Sequence, residues 1–80
     1  MYLSEVELNV PVRVQKLYSV GKIKERLLSL GFTAGALILP IRKGPSNNLT
    51  VYVVRGVMIA LRIEEAQKIE VGLEVTKLCD

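Results

Sequence analysis

The chain has 80 residues, with 11 lysines and arginines against 8 aspartates and glutamates, a net charge of +3, and half of its residues apolar. That length allows one domain, which buries about 60–65% of the surface its unfolded chain exposes, and excludes an enzyme with separate substrate and cofactor domains. A charged fraction of 24% and abundant Val, Ile and Leu exclude a disordered tail.

Histidine is absent and cysteine occurs once, as Cys79. The commonest metal ligand and usual general base near neutral pH is therefore missing. One thiol closes no internal disulfide and completes no Cys/His metal cluster; the expectation is a free thiol in a reducing compartment. The glutamates Glu5, Glu7, Glu64, Glu65, Glu70 and Glu74 fall at expected helix ends and outward strand positions, and nothing sets two of them in one cleft. No catalytic residue, no metal ligand set and no required cofactor is expected. Neither a basic start nor an apolar run follows Met1, and the longest apolar stretches, 57–61 and the proline-containing 36–41, fall well short of the roughly 20 residues a membrane span needs. The expectation is a soluble cytoplasmic protein without membrane insertion.

In chain order, residues 3–9 read as a short lead-in, one helical turn capped by Ser4 and anchored by Leu3 and Leu8. Val10, Val12 and Val14 then alternate with Pro11, Arg13 and Gln15, the period-2 pattern of a half-buried strand ending near Tyr18. Ile23, Leu27 and Leu30 recur at helical spacing within 21–30, while Lys22, Lys24, Glu25 and Arg26 face away. Ser19 or Gly21 serves as the N-cap. Gly31 suits the left-handed residue after the last turn, with Phe32 packing back on Leu27.

After a turn at 33–35, a second strand is predicted over 36–43, in which Pro40 requires an edge position or a bend. The turn 44–48 leads to strands 49–54 and 57–62, reversed at Arg55-Gly56. That hairpin has two registers. A two-residue loop puts Tyr52, Val54, Val57, Ile59 and Leu61 on one face. A three-residue loop through Val57 instead aligns Leu49, Val51 and Val53 with Ile59 and Leu61. The second is preferred because it leaves Thr50 and Arg62 outside, and it turns Tyr52, Val54 and Met58 outward, with Ile38 joining them. A helical turn over 63–66 and a closing strand over 68–71 follow, and residues from Gly72 on read as a frayed tail. Five short strands and one helix after the first strand make a mainly β fold, a small, bent antiparallel barrel.

Three stretches together resemble the FeoA family, the small proteins of bacterial ferrous iron uptake: Leu3-Ser4-Glu5-Val6, the run from Lys24 to Gly35, and Val57 to Arg62 followed by Glu65-Ala66 and Ile69-Glu70-Val71. The resemblance covers 3–72, with Val10-Pro11 and Ala34-Gly35 standing where the family usually has Pro-Gly. It implies an SH3-like barrel, a single domain with its core over 3–72 and a tail over 73–80. It also implies a non-catalytic accessory role beside the membrane GTPase permease FeoB, with peripheral attachment at the inner membrane face through that partner. A transition metal such as Fe(II) is implied by the family alone. The expected partner-binding residues are Lys22, Lys24, Arg26, Tyr52, Val54 and Met58, and the structural turn residues are Gly31, Gly35 and Gly56. The surplus of apolar residues also admits a homo-oligomer. A regulatory or nucleic-acid-binding module unrelated to transport is the alternative. The slight net charge and four scattered aromatics, Tyr2, Tyr18, Phe32 and Tyr52, disfavour nucleic acid, which needs aromatics grouped on one face.

Overall fold

The structure, a computed structural model, describes residues 1–74. Cys79 and the rest of the expected tail from residue 75 onward lie outside the described residues. The strands are β1 (Val12–Leu17), β2 (Leu37–Lys43), β3 (Leu49–Val54), β4 (Val57–Arg62) and β5 (Ile69–Leu73). Helix α1 (Gly21–Ser29) follows β1, and the single turn α2 (Ile63–Ala66) joins β4 to β5. All five strands pair antiparallel in one sheet of order β4-β3-β2-β1-β5. The mainly β fold matches the expectation, but the sheet stays open, with β4 and β5 as its edges.

Every strand contributes to one apolar core: Val12 and Val14, Ile38, Tyr52 and Val54, Leu61, and Ile69 and Val71, joined by Leu3, Val6, Leu27, Phe32 and Ala66. Each large side chain fully buried there stabilises the fold by about 1.5–3 kcal/mol relative to exposure. The lead-in turn Leu3–Glu5 forms, although not as expected. Glu5, not Ser4, satisfies its start by accepting the Tyr2 amide at 2.7 Å, and Val6 rather than the exposed Leu8 is its second anchor.

The β3–β4 hairpin overturns the preferred register. Val54 lies opposite Val57 and Tyr52 opposite Ile59, so the loop is the two residues Arg55 and Gly56. Both have positive φ, 56° and 79°, the mirror-image turn whose twist suits adjoining antiparallel strands. Tyr52, Val54 and Ile38 consequently point into the core, and Met58 remains outside. Burial pushes the Tyr52 phenol up from its ordinary pKa, with the neighbouring Thr50 hydroxyl acting in the opposite direction.

Pro40 satisfies its constraint through a bend. It sits on β2, a strand with neighbours on both sides, and is buried. The β1 ladder stops at Ile38, and the register against β3 shifts between Pro40 and Arg42. The final strand runs past Gly72: Leu73 pairs with Val12, and Glu74 meets the Arg13 guanidinium in a two-pronged ion pair. The expected fraying therefore does not begin at Gly72 or Leu73.

Helix α1 ends as its sequence indicates. The Phe32 amide donates to the Leu27 carbonyl and the Gly31 amide to that of Leu28, both at 3.0 Å, the paired bonds of a glycine-terminated helix. Its other end departs from expectation. Val20 occupies the N-cap with no side-chain cap bond, and only Leu27 of α1 is buried; Ile23 is half-exposed.

Candidate docking surfaces

Because Tyr52 and Val54 face inward, the alternate residues of β3 face outward, and the ladder aligns them with apolar neighbours. Leu39 lies opposite Val53, and Val53 opposite Met58. Leu37, two residues before Leu39, extends this row, and Val51 opposite Ala60 forms the next. Met58 is 65% exposed and Leu37 is exposed as well. A shallow depression of about 400 Å³ lies at the Leu37 end, between Arg13 and Arg55. Arg13 is held there by Glu74 and by the Gly35 carbonyl at 2.8 Å, and Arg55 lies 3.3 Å from the Thr33 hydroxyl. Among the described residues the lining of this depression includes no carboxylate, thiol or hydroxyl. The arrangement offers an apolar strip with arginines at its Leu37 end, suited to contact with another macromolecule.

The sequence-predicted partner residues therefore separate into three places. Met58 lies in the strip. Tyr52 and Val54 belong to the core. Lys22, Lys24 and Arg26 lie on α1, where Arg26 is bound to Glu65 of α2 at 2.7 Å, while Glu65 also accepts the Arg62 amide at 3.0 Å. This clasp connects the helix to the turn that joins the two sheet edges. Gly31, Gly35 and Gly56 all have positive φ, as turn positions. Leu37, Leu39 and Val53 were missed. Their signal was present, since both strands are apolar at odd and even positions alike, so one parity had to face outward.

Residues 1–73 match the family model of the FeoA domain. The chain belongs to the FeoA family. Its fold is also close to solved members. FeoA from Chlorobium tepidum superposes with a TM-score of 0.88 at 25% identity, covering 94% of this chain and 71% of that one. Iron(II) transport protein A from Clostridium thermocellum gives 0.87 at 33% identity, covering 91% of this chain and 45% of the other, so this chain spans under half of that relative's length. Stenotrophomonas maltophilia FeoA, an SH3 domain protein complexed with zinc, gives 0.78 at 32% identity over 89% of this chain and 88% of that one. No curated protein sequence matches the chain significantly.

Among the described residues no three His, Cys, Asp or Glu side chains stand together. Several carboxylates are already engaged: Glu74 with Arg13, Glu65 with Arg26, and Glu70 with the Tyr18 hydroxyl at 2.9 Å. Transition-metal sites need several convergent donors. Among the described residues no helix is long and apolar enough to cross a membrane.

Proposed function

We propose that this FeoA-family chain is a non-catalytic accessory protein of ferrous iron transport that docks on the cytoplasmic part of a FeoB-like membrane GTPase permease. The observation that carries this reading is the strip Leu37, Leu39, Val53 and Met58 on the outer face of β2–β3–β4. Half of the 80 residues are apolar, and the strip holds part of the surplus over the core's needs, with Leu37 and Met58 exposed. Family membership supplies the process, because solved relatives carry iron(II) transport in their names. Iron in this reading is the cargo of the permease and not a ligand held by this chain.

Co-purification with the permease tests the assignment. Met58→Asp and Leu37→Asp place a charge in the strip without entering the core. Each is expected to weaken capture by about thirtyfold, the effect of losing a hot-spot contact. Undiminished capture by both variants, with their fold intact by circular dichroism, would remove the strip as the docking site. If Met58→Asp instead dissociates a homo-oligomer and leaves capture unchanged, the strip belongs to self-association.

A further inference from the structure

A second exposed surface lies at the opposite end of α1, away from the strip. Tyr18 and Val20 flank the buried Ser19, and both are exposed, Val20 at 78%. Ile23, in the first turn of α1, is 50% exposed. Lys68 joins these residues: its carbonyl accepts the Tyr18 amide at 2.8 Å, and its side chain shares one small cavity with Val20 and Ile23. On the far side of Tyr18 the ring of Tyr2 stands 6.1 Å away, and Lys16 Nζ lies 5.0 Å from the Tyr18 ring centroid. An isolated exposed aliphatic residue is unremarkable. Here a tyrosine pair adjoins, through Ser19 in the chain and through Lys68, a cavity lined by two aliphatic residues.

Lysines surround this face, interrupted by Glu64 and Glu70. Lys16, Lys22, Lys24 and Lys68 are all exposed. In the helix, Lys22 and Lys24 are offset by about 100° to either side of Ile23, so they flank it, while Glu25 is turned further away. Of the acidic groups nearby, Glu65 is neutralised by Arg26 and Glu70 accepts the Tyr18 hydroxyl. Glu64 lines the cavity. The uncapped first turn of α1 adds its own positive end to the four lysines.

We propose that this face, Tyr2, Tyr18, Val20 and Ile23 ringed by Lys16, Lys22, Lys24 and Lys68, attaches the protein directly to an anionic lipid bilayer. The residue types separate a lipid surface from a protein one. Protein interfaces favour arginine and are depleted in lysine, and every free cation named here is a lysine. Lysine stems can lie along the acyl boundary with their ammonium groups among the phosphates, and tyrosine settles at headgroup depth. Val20 stands out from the surface, a shape suited to entering the boundary between headgroups and acyl chains. A lysine held near an anionic leaflet raises partitioning about fivefold, so four supply reversible, salt-sensitive attachment without a span.

Sedimentation of the purified chain with phosphatidylcholine vesicles, with and without phosphatidylglycerol, tests this. Binding is expected only with the anionic lipid, and raising the salt should weaken it. Lys22→Glu with Lys24→Glu should lower partitioning at least about twenty-five-fold. Val20→Asp with Ile23→Asp should also abolish binding; the sites are exposed, and circular dichroism confirms folding. Met58→Asp should bind vesicles like the wild type. Equal binding to both vesicle types, or full binding by the lysine variant, would overturn the proposal. So would absence of vesicle binding alongside lysine-dependent capture by the permease without lipid, which would make the face a protein contact. The vesicles contain no permease, so failure here leaves the docking reading of the strip untouched.

Discussion

Tyr52→Ala is expected to remove much of the stability of the fold, while Met58→Ala, six positions on, changes it by less than about 0.5 kcal/mol. Tyr52 is 1% exposed and sits on β3, which has a neighbouring strand on each side. Removing an aromatic side chain from such a site costs about 3–5 kcal/mol, through lost burial and the cavity left behind. A domain of this size has only about 4–12 kcal/mol in total. Urea denaturation of the two variants measures the difference as a shift in midpoint. The outcome also tests the hairpin register, because a three-residue loop would turn Tyr52 outward as well and make both substitutions mild: an innocuous Tyr52→Ala would restore it.

Gly31→Ala is the second large effect expected, and Gly35→Ala is its control. Gly31 has φ of 108°, where a side chain is strained, and a Cβ there would stand 3.0 Å from Val54 Cγ1. Val54 is buried in the core and has little freedom to retreat. Backbone strain of about 1–3 kcal/mol and overpacking of similar size then add, for a loss of about 2–6 kcal/mol. Gly35 also has positive φ, but a Cβ would meet nothing within 4 Å, so only the strain remains. Thermal or urea unfolding of both variants would reveal the gap. Equal losses would mean that the contact between Gly31 and Val54 contributes nothing.

Much of the architecture was legible because its signals are local. The glycine ending α1, the valine alternation of β1 and the bounds of β3 and β4 all emerged from residue spacing. The hairpin register did not, for a physical reason. Over 51–54 β3 is apolar at every position, so a period of two cannot choose its inner face. The choice rests on Arg55 adopting a left-handed conformation, which its residue type does not advertise. That single ambiguity moved Tyr52 and Val54 from the core to the candidate surface and concealed Leu39 and Val53. Ile23 misled differently. Its helical spacing is correct, but α1 reaches the core only through Leu27, and the first turn overhangs. At the other end of the chain, Gly72 resembled a stop. In the fold it continues β5 beside the Gln15 side chain, whose amide end occupies the space a Cβ at Gly72 would take. The attachment of Glu74 to Arg13 depends on two residues far apart in sequence, which no local pattern reveals.

That separation bears on the order in which the molecule assembles. The hairpin of β3 and β4 turns through two residues, and β2 joins it through the short turn around Pro45–Asn47. The β1–β5 seam instead brings together groups as distant as Arg13 and Glu74, 61 residues apart. Loop closure becomes more costly with length, so the meander is expected to form first and the seam last. Pulsed hydrogen exchange during refolding checks this: amides of β3 and β4 should gain protection before Val71 and its β5 neighbours, and simultaneous protection would refute it. The first and last strands thus act as a clasp on a sheet already built, and the chain commits to its fold only when its two distant ends meet.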